Sequence, residues 1–572
     1  MQQHDDSADR RPGGDAAGGP LAAEAAAVDP IGRGEPVAAP EAVADEGAPG
    51  GVDLKVAGPA LAAVIGIVIW GLADQEGFAA VTGAALGWIL DNLGWLFATI
   101  ATAIVVFVIA LGFSRYGAIR LGGDEERPEF STPAWIAMMF AAGMGIGLLF
   151  YGAYEPLNHY RNAPPGVAGE DVSAAFAHAL LHWTLHPWSM YAIVGLAIAY
   201  GTFRLGRPQL ISAAFIPLIG AKRAAGPLGR TIDVLAVFST VFGTAASLAV
   251  GATQIGAGME FTGLVGSAGT GLFVTVVVVL GVAYLASAMS GVGRGIRWLS
   301  NINMVLASVL ALFVLLLGPT VAALDALPMA VGSYLDQLPR MAFRTAANQD
   351  GSAGEWLSSW TLFWWAWWIS WSPFVGMFLA RISRGRTIRE FLAGVILVPS
   401  VVSAAWFAIF GGSAIHLERD GRGIWGDGTP EFILFRLLDQ LPFAAAASGV
   451  AMVLLGTFFI TSADSASTVM ATMSQYGRTT PSPWLSAIWG TMTGLVAVLF
   501  LVTGGEDTLT ALQTILIVAG SPFLLVAAGL AVSVAAGVAK DPLYLDERER
   551  RRFALRLARE RRISRDEAAA LG

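Results

Sequence analysis

Polar and charged residues along this chain fall in short intervals, and between them run about twelve apolar stretches, each long enough to cross roughly 30 Å of hydrocarbon. The stretches lie at 56–73, 84–113, 132–152, 173–202, 230–256, 269–289, 296–321, 357–380, 389–415, 433–461, 484–503 and 509–537. The pattern predicts an all-α integral membrane protein of about 12 transmembrane helices. Two further segments are too interrupted to span. In residues 323–345, Leu324, Leu327, Met329, Tyr334, Leu335, Leu338 and Met341 alternate with polar positions, which predicts an amphipathic helix on the outer interface. The C-terminal LDERERRRFALRLARERR sets Phe553 and Leu557 one turn apart among arginines, a basic helix suited to anionic lipid. Residues 1–53, rich in Ala, Gly, Pro and acid, bury too little surface to offset chain entropy and read as a disordered tail.

Composition agrees. Of 572 residues, 55% are hydrophobic and 14% charged, against about 25% charged in an average soluble protein; mean hydropathy is +0.61. Residues 1–53 carry eleven acids against Arg10, Arg11 and Arg33, which equals the whole net charge of -8. The membrane body is therefore nearly neutral, and without a basic face nucleic acid is excluded as a partner. With no cysteine there is no disulfide or thiolate chemistry. Six histidines without H-E-x-x-H spacing make little case for a metal centre. With the N-terminus inside, the cytoplasmic loops hold fifteen Lys or Arg and the opposite loops six, so both termini are expected to be cytoplasmic in a cell (inner) membrane.

Four groups of residues carry candidate chemistry. Gly143, Gly145 and Gly147 alternate within the third span, each costing a helix about 1 kcal/mol relative to Ala. Close packing accounts for a small pair; three alternate glycines fit better an unwound segment whose carbonyls line a cavity. Five tryptophans in eight residues, Trp364 to Trp371, put Trp364, Trp367, Trp368 and Trp371 on one face of the eighth span. An interfacial belt occupies one turn, whereas this face runs over two. The fourth span adds Trp183, Trp188 and Tyr191. Such rings attract a cation with no hydrogens to donate, at about 2 kcal/mol per desolvated contact, so a quaternary ammonium is the natural ligand. Thr240, Thr244 and Ser247 form a hydroxyl stripe on the fifth span, open to helix packing or to ion binding. Thr461 and Ser462 in the tenth offer hard oxygens that suit an alkali cation, and Asp464 beside them is expected to cap or to pair with an arginine. His178, His182 and His186 share a face, but no acid lies in register with them in that span, which favours packing or hydrogen-bond roles over a proton relay.

With GMGIGLLFYGAYEPL from Gly143, HWTLHPWSMYAIVGLAIAY from His182, FGTAASL from Phe242, WAWWISWSPFVGMFLARISRGRTIREF from Trp365 and TSADSAS from Thr461, the sequence resembles the betaine/choline/carnitine transporter family over about residues 56–562. The resemblance implies a LeuT-like core of two inverted five-helix repeats, residues 132–321 and 357–538. Two accessory helices (54–131), the interfacial segment (322–356) and the C-terminal helix (539–572) complete the chain. It implies an aromatic box of Trp183, Trp188, Tyr191 and Trp368, with Trp367, Trp371, Gly147, Phe150 and Ser247 also at the substrate. It places one sodium on the carbonyls of Ala141 and Met144 with Phe458, Thr461 and Ser462, and another on Thr240 and Thr244 with the ring of Phe374. Trimers, and a C-terminal helix that senses osmotic state, are family traits.

The expected activity is sodium-coupled symport of glycine betaine or a similar trimethylammonium osmolyte, with no enzyme chemistry and no cofactor beyond the coupling ion. The alternative is a sodium-independent exchanger or proton symporter for choline-, carnitine- or ectoine-type substrates. A lipid-headgroup transferase would need a carboxylate, histidine and metal cluster at one membrane face, and a substrate sensor without flux is the remaining rival.

Overall fold

The computed structural model describes residues 51–143, 145–289, 293–347, 352–545 and 547–569; nearly all of the acidic N-terminal tail lies outside them. The described residues form α1 (Leu54–Ala73), α2 (Gln75–Phe113), α3 (Thr132–Gly143), α4 (Ile146–Arg161), α5 (Val172–Trp183), α6 (Leu185–Ala199), α7 (Pro227–Phe261), α8 (Thr270–Met289) and α9 (Gly293–Leu317). They continue as α10 (Thr320–Ala342), α11 (Phe363–Ile382), α12 (Ile388–Arg419), α13 (Pro430–Asp439), α14 (Ala444–Met473), α15 (Pro483–Gly504), α16 (Thr508–Val538) and α17 (Glu547–Ala569), joined by short turns.

Among the described residues nine helices are long and apolar enough to cross a membrane. The other three expected spans are present in altered form. The third is interrupted between α3 and α4, where Gly145 is fully extended (φ -154°, ψ -167°). The fourth is interrupted at Thr184 (φ -119°, ψ -109°), where Pro187 has no N–H to bond back to Trp183. The eighth, α11, follows a π-helical turn at Ser358–Leu362 and is rich in tryptophan. The three spans that depart from a plain apolar helix are among the five the sequence marked for chemistry; the fifth and tenth run as continuous helices.

The interhelix contacts have an internal twofold pattern. Replacing each helix of the first repeat by its counterpart in the second turns α4 on α12 into α11 on α6, α7 on α15 into α14 on α8, and α7 on α16 into α14 on α9; all of these pairs are in contact. Five spans per repeat is an odd number, so the second repeat begins on the opposite side and the two are inverted, as a LeuT-like core requires. Glycines set the matched crossings. A Cβ on Gly376 of α11 would lie 2.9 Å from the backbone nitrogen of Gly195 on α6, and one on Gly411 of α12 would lie 3.2 Å from the carbonyl oxygen of Gly152 on α4. Backbones approach this closely only where no side chain intervenes. Outside this core, α8 and α9 expose Val278, Val279, Val282, Val305, Val309 and Leu312, a surface that hydrocarbon would cover.

The amphipathic helix expected after the seventh apolar stretch is α10, and its inner face, with Ala323, Ala326, Ala330 and Tyr334, packs on α5 and α12. On the arginine-rich face, Arg204 pairs with Asp541 (2.7 Å) and Asp124 (2.6 Å). There too α17 docks on the chain itself: Arg207 pairs with Glu560 at 2.9 Å, and Arg561 donates to the Leu205 carbonyl at 2.9 Å. Phe553 and Leu557 are half-buried against this surface, so the apolar stripe read as a lipid anchor has a protein partner.

Candidate functional site

The break at Thr184 leaves the last turn of α5 with carbonyls free of their usual helical partners. The His182 carbonyl accepts the indole N–H of Trp368 on α11, at 2.8 Å. This brings the ends of α5 and α6 against the tryptophan face of α11, and α6 and α11 make the most extensive helix contact among the described residues.

Four rings then meet in series. Trp183 and Trp368 lie 5.0 Å apart with planes at 75°, Trp368 and Tyr191 6.1 Å at 85°, and Tyr191 and Trp188 5.5 Å at 82°. Each wall stands nearly perpendicular to the next, and all four are buried. The first repeat supplies Trp183, Trp188 and Tyr191 and the second supplies Trp368. Gly147, two residues past Gly145 in the first break, faces the same wall: a Cβ there would lie 2.9 Å from Trp183 Cη2.

The remaining expected substrate residues are near but not within this series. Trp367 stacks on Trp364 (5.4 Å, 14°), behind the box. Trp371 sits between the first break and α7, beside Gly145 and Gly243, with Phe374 edge-on at 5.8 Å. Phe150 packs on Tyr151 and Tyr154, and Ser247 is buried on α7. Buried polar atoms without a hydrogen-bond partner among the described residues include Tyr191 Oη on α6, Trp371 Nε1 on α11 and Thr244 Oγ1 on α7.

Of the expected sodium ligands, Met144 lies outside the described residues, and the side chain of Ala141 is likewise not described. Thr461 donates to the carbonyls of Thr457 (3.0 Å) and Phe458 (3.2 Å) and accepts from Asn303 Nδ2 (3.2 Å). Thr240 donates to the Ala236 carbonyl at 2.8 Å, and Ser462 is half-buried beside Thr461. Asp464 is buried; its expected arginine partners include Arg294 and Arg297, whose side chains lie outside the described residues.

Sequence reasoning passed over Glu155. The third span was expected to end at 152, but α4 runs on to Arg161, which places this carboxylate inside the helix and fully buried. The available signal was the charge itself, because an ionisable residue within a membrane helix is a functional candidate by default. Glu155 Oε1 bonds His182 Nδ1 at 2.6 Å and Oε2 accepts from Trp183 Nε1 at 2.7 Å; His182 Nε2 meets Thr361 Oγ1 at 3.1 Å. The acid missing from the histidine face thus comes from another helix. The three histidines have separate partners, His178 meeting the Ala174 carbonyl and Arg344, and His186 stacking on Trp365 (4.8 Å, 15°).

Glu155, His159 and His182 also present ligand atoms within 4.8 Å of one another. Two ligands of one tetrahedral zinc sit roughly 3.3 Å apart, whereas Glu155 and His182 touch at 2.6 Å. That spacing is a hydrogen bond.

Buried aromatic walls drawn from both repeats, beside broken membrane helices, fit the architecture of a secondary transporter. The family described as "BCCT, betaine/carnitine/choline family transporter" matches residues 55–543, and the chain belongs to it. The glycine betaine transporter OpuD of Bacillus subtilis is 42% identical over 486 residues, covering 84% of this chain and 94% of that one. The betaine/ectoine transporter LcoP of Corynebacterium glutamicum is 39% identical over 503 residues, covering 87% and 80%. A solved Na+-coupled sialic acid symporter, substrate-bound and outward-open, overlays with a TM-score of 0.42 at 11% identity, covering 81% of this chain and 98% of that one.

Proposed function

We propose that this transporter is a sodium-coupled symporter that imports glycine betaine, or a close trimethylammonium zwitterion, by alternating access. One observation carries the reading: Trp183, Trp368, Tyr191 and Trp188 form a buried series of mutually perpendicular rings drawn from both repeats. Three methyl groups on nitrogen present a rounded cation that offers no N–H, and π faces on several sides hold it better than any carboxylate geometry would. Because the walls belong to different repeats, rocking one repeat against the other opens the box to either side in turn.

The unpaired donors nearby, Tyr191 Oη, Trp371 Nε1 and Thr244 Oγ1, suit the carboxylate end of a zwitterion. The one buried acid close by, Glu155, already accepts from His182 and Trp183 and is not free to neutralise a bare cation. A net-neutral betaine is therefore favoured over choline, whose uncompensated burial costs several kcal/mol. Betaine in the names of both relatives agrees. Sodium is assigned to the hydroxyl sets around Thr461 and Ser462 and around Thr240 and Thr244, and the arginine-rich face to the cytoplasm.

Uptake of labelled glycine betaine into proteoliposomes tests the proposal. Accumulation should require an inward sodium gradient and stop in potassium buffer. Accumulation that is indifferent to sodium overturns the coupling, and absence of saturable betaine uptake overturns the substrate.

A further inference from the structure

The two tryptophan walls of the box are fixed through one short run of polar groups. Trp183 donates its ring N–H to Glu155 Oε2 at 2.7 Å, and Trp368 donates its own to the His182 carbonyl at 2.8 Å. His182 is itself held at both ring nitrogens, by Glu155 Oε1 at 2.6 Å and by Thr361 Oγ1 at 3.1 Å. Glu155, His182 and Thr361 are all buried, and they come from α4, α5 and the turn before α11.

An indole has a single donor, lying in the ring plane, so anchoring it fixes the rotation of the whole π face. Putting the His182 proton on Nδ1 lets Nε2 accept from the Thr361 hydroxyl, and every group in the run is then satisfied. Thr361 and Trp368 are two helical turns apart and both end on His182, which locks the second repeat's wall to the first repeat's break.

We infer that Glu155 and His182 are positioning residues that set the angle between the Trp183 and Trp368 walls, and through it the pocket's preference for a trimethylammonium over a smaller ammonium. The inference rests on the betaine reading above. A cation–π contact depends on the cation lying over the ring face. Walls held at a fixed angle therefore select by the number of methyl groups, and walls free to turn close on smaller heads as readily.

The test measures equilibrium binding of labelled glycine betaine, and its displacement by dimethylglycine, on the full chain in nanodiscs. Glu155→Gln keeps size but turns an amide donor toward one of two N–H donors. It should raise the betaine Kd about tenfold, and lower the preference over dimethylglycine at least about threefold, with maximal binding unchanged. Thr361→Val loosens only the outer end of the run and should shift both readings the same way by about threefold; it decides the matter where Glu155→Gln yields no folded protein. In a Trp183→Phe background, which has no ring N–H, Glu155→Gln should add less than about a further twofold.

Wild-type affinity and preference in both Glu155→Gln and Thr361→Val would overturn the inference. So would equal weakening of both ligands, with the effects of Glu155→Gln and Trp183→Phe simply multiplying. Trp368→Leu separates the two levels. If it abolishes betaine binding while the Glu155 and Thr361 variants change nothing, the box stands and the positioning role fails; if it binds as wild type, the box itself is wrong.

Discussion

Gly147 and Trp183 meet with no room for an added atom, since a Cβ on Gly147 would lie 2.9 Å from Trp183 Cη2. The indole cannot easily retreat, because its N–H is tied to the buried Glu155. Gly147→Ala should therefore tilt the wall and raise the concentration of betaine for half-maximal uptake about tenfold, with folded protein in wild-type amounts. Gly147→Asp faces the same obstruction but adds a counter-ion. Choline should compete with labelled betaine in Gly147→Asp and not in the wild type. Strong choline inhibition of the wild type would overturn the zwitterion assignment, and a Gly147→Asp protein blind to choline would show that this position does not face the substrate.

Trp368 joins the two repeats, edge-on to Trp183 and Tyr191 and bonded to the His182 carbonyl. Leu retains apolar bulk but has neither quadrupole nor N–H. Trp368→Leu should abolish saturable uptake while the detergent-solubilised protein remains monodisperse. Wild-type affinity in that variant would sink the aromatic box.

The membrane helices were legible in sequence as apolar runs of spanning length, and the tryptophan face of the eighth span as aromatic residues at helical spacing; the grouping of Trp368 with Trp183, Trp188 and Tyr191 came from the family resemblance. The break at Thr184 was not read, because the run from 173 to 202 is mostly apolar and a proline such as Pro187 also occurs inside continuous membrane helices. Glu155 was missed for a related reason, since the apolar run stops near 152 while the helix continues to Arg161. Its pairing with His182 joins residues 27 apart in the chain, and Trp183 with Trp368 is a contact across repeats. No periodicity within one helix reports on such meetings. The partner of α17 was likewise hidden, because Phe553 and Leu557 suit lipid and protein equally until the loop after α6 is seen beneath them.

That docking gives the C-terminal helix a mechanical route to the core. Arg207 and Leu205, which α17 holds, follow directly on α6, the helix that carries Trp188 and Tyr191. A helix that grips this loop biases its position in a two-state carrier. Removing residues 545–572 should leave basal betaine uptake in place and remove its stimulation by high external osmolality, and Glu560→Lys should weaken that stimulation through repulsion of Arg207. Identical osmotic profiles for the wild type and both variants would reduce α17 to an anchor.

The hydroxyls assigned to sodium differ in how far they are committed within the protein, and the difference orders their expected effects. Thr461 gives its proton to helix carbonyls and accepts from Asn303 at 3.2 Å, which leaves one lone pair for a cation. Thr240 likewise spends its proton on the Ala236 carbonyl, and its oxygen remains an acceptor. Thr244 Oγ1 is buried with no hydrogen-bond partner among the described residues, an arrangement that costs about 1–3 kcal/mol unless a ligand completes it. Sodium at that hydroxyl would recover the cost, so Thr244→Val should raise the sodium concentration for half-maximal uptake while leaving thermal stability in sodium-free buffer unchanged or improved. Thr461→Ala with Ser462→Ala should also shift the sodium curve, by at least about tenfold, or about 1.4 kcal/mol of binding. Unlike Thr244→Val, it should lower stability without sodium, because Asn303 loses its acceptor. Initial rates of betaine uptake across a sodium titration, paired with melting curves with and without sodium, read both effects. Unchanged sodium curves in both variants would mean that the hydroxyls only pack, and a Thr244→Val protein destabilised without sodium would mean that its hydroxyl serves the fold.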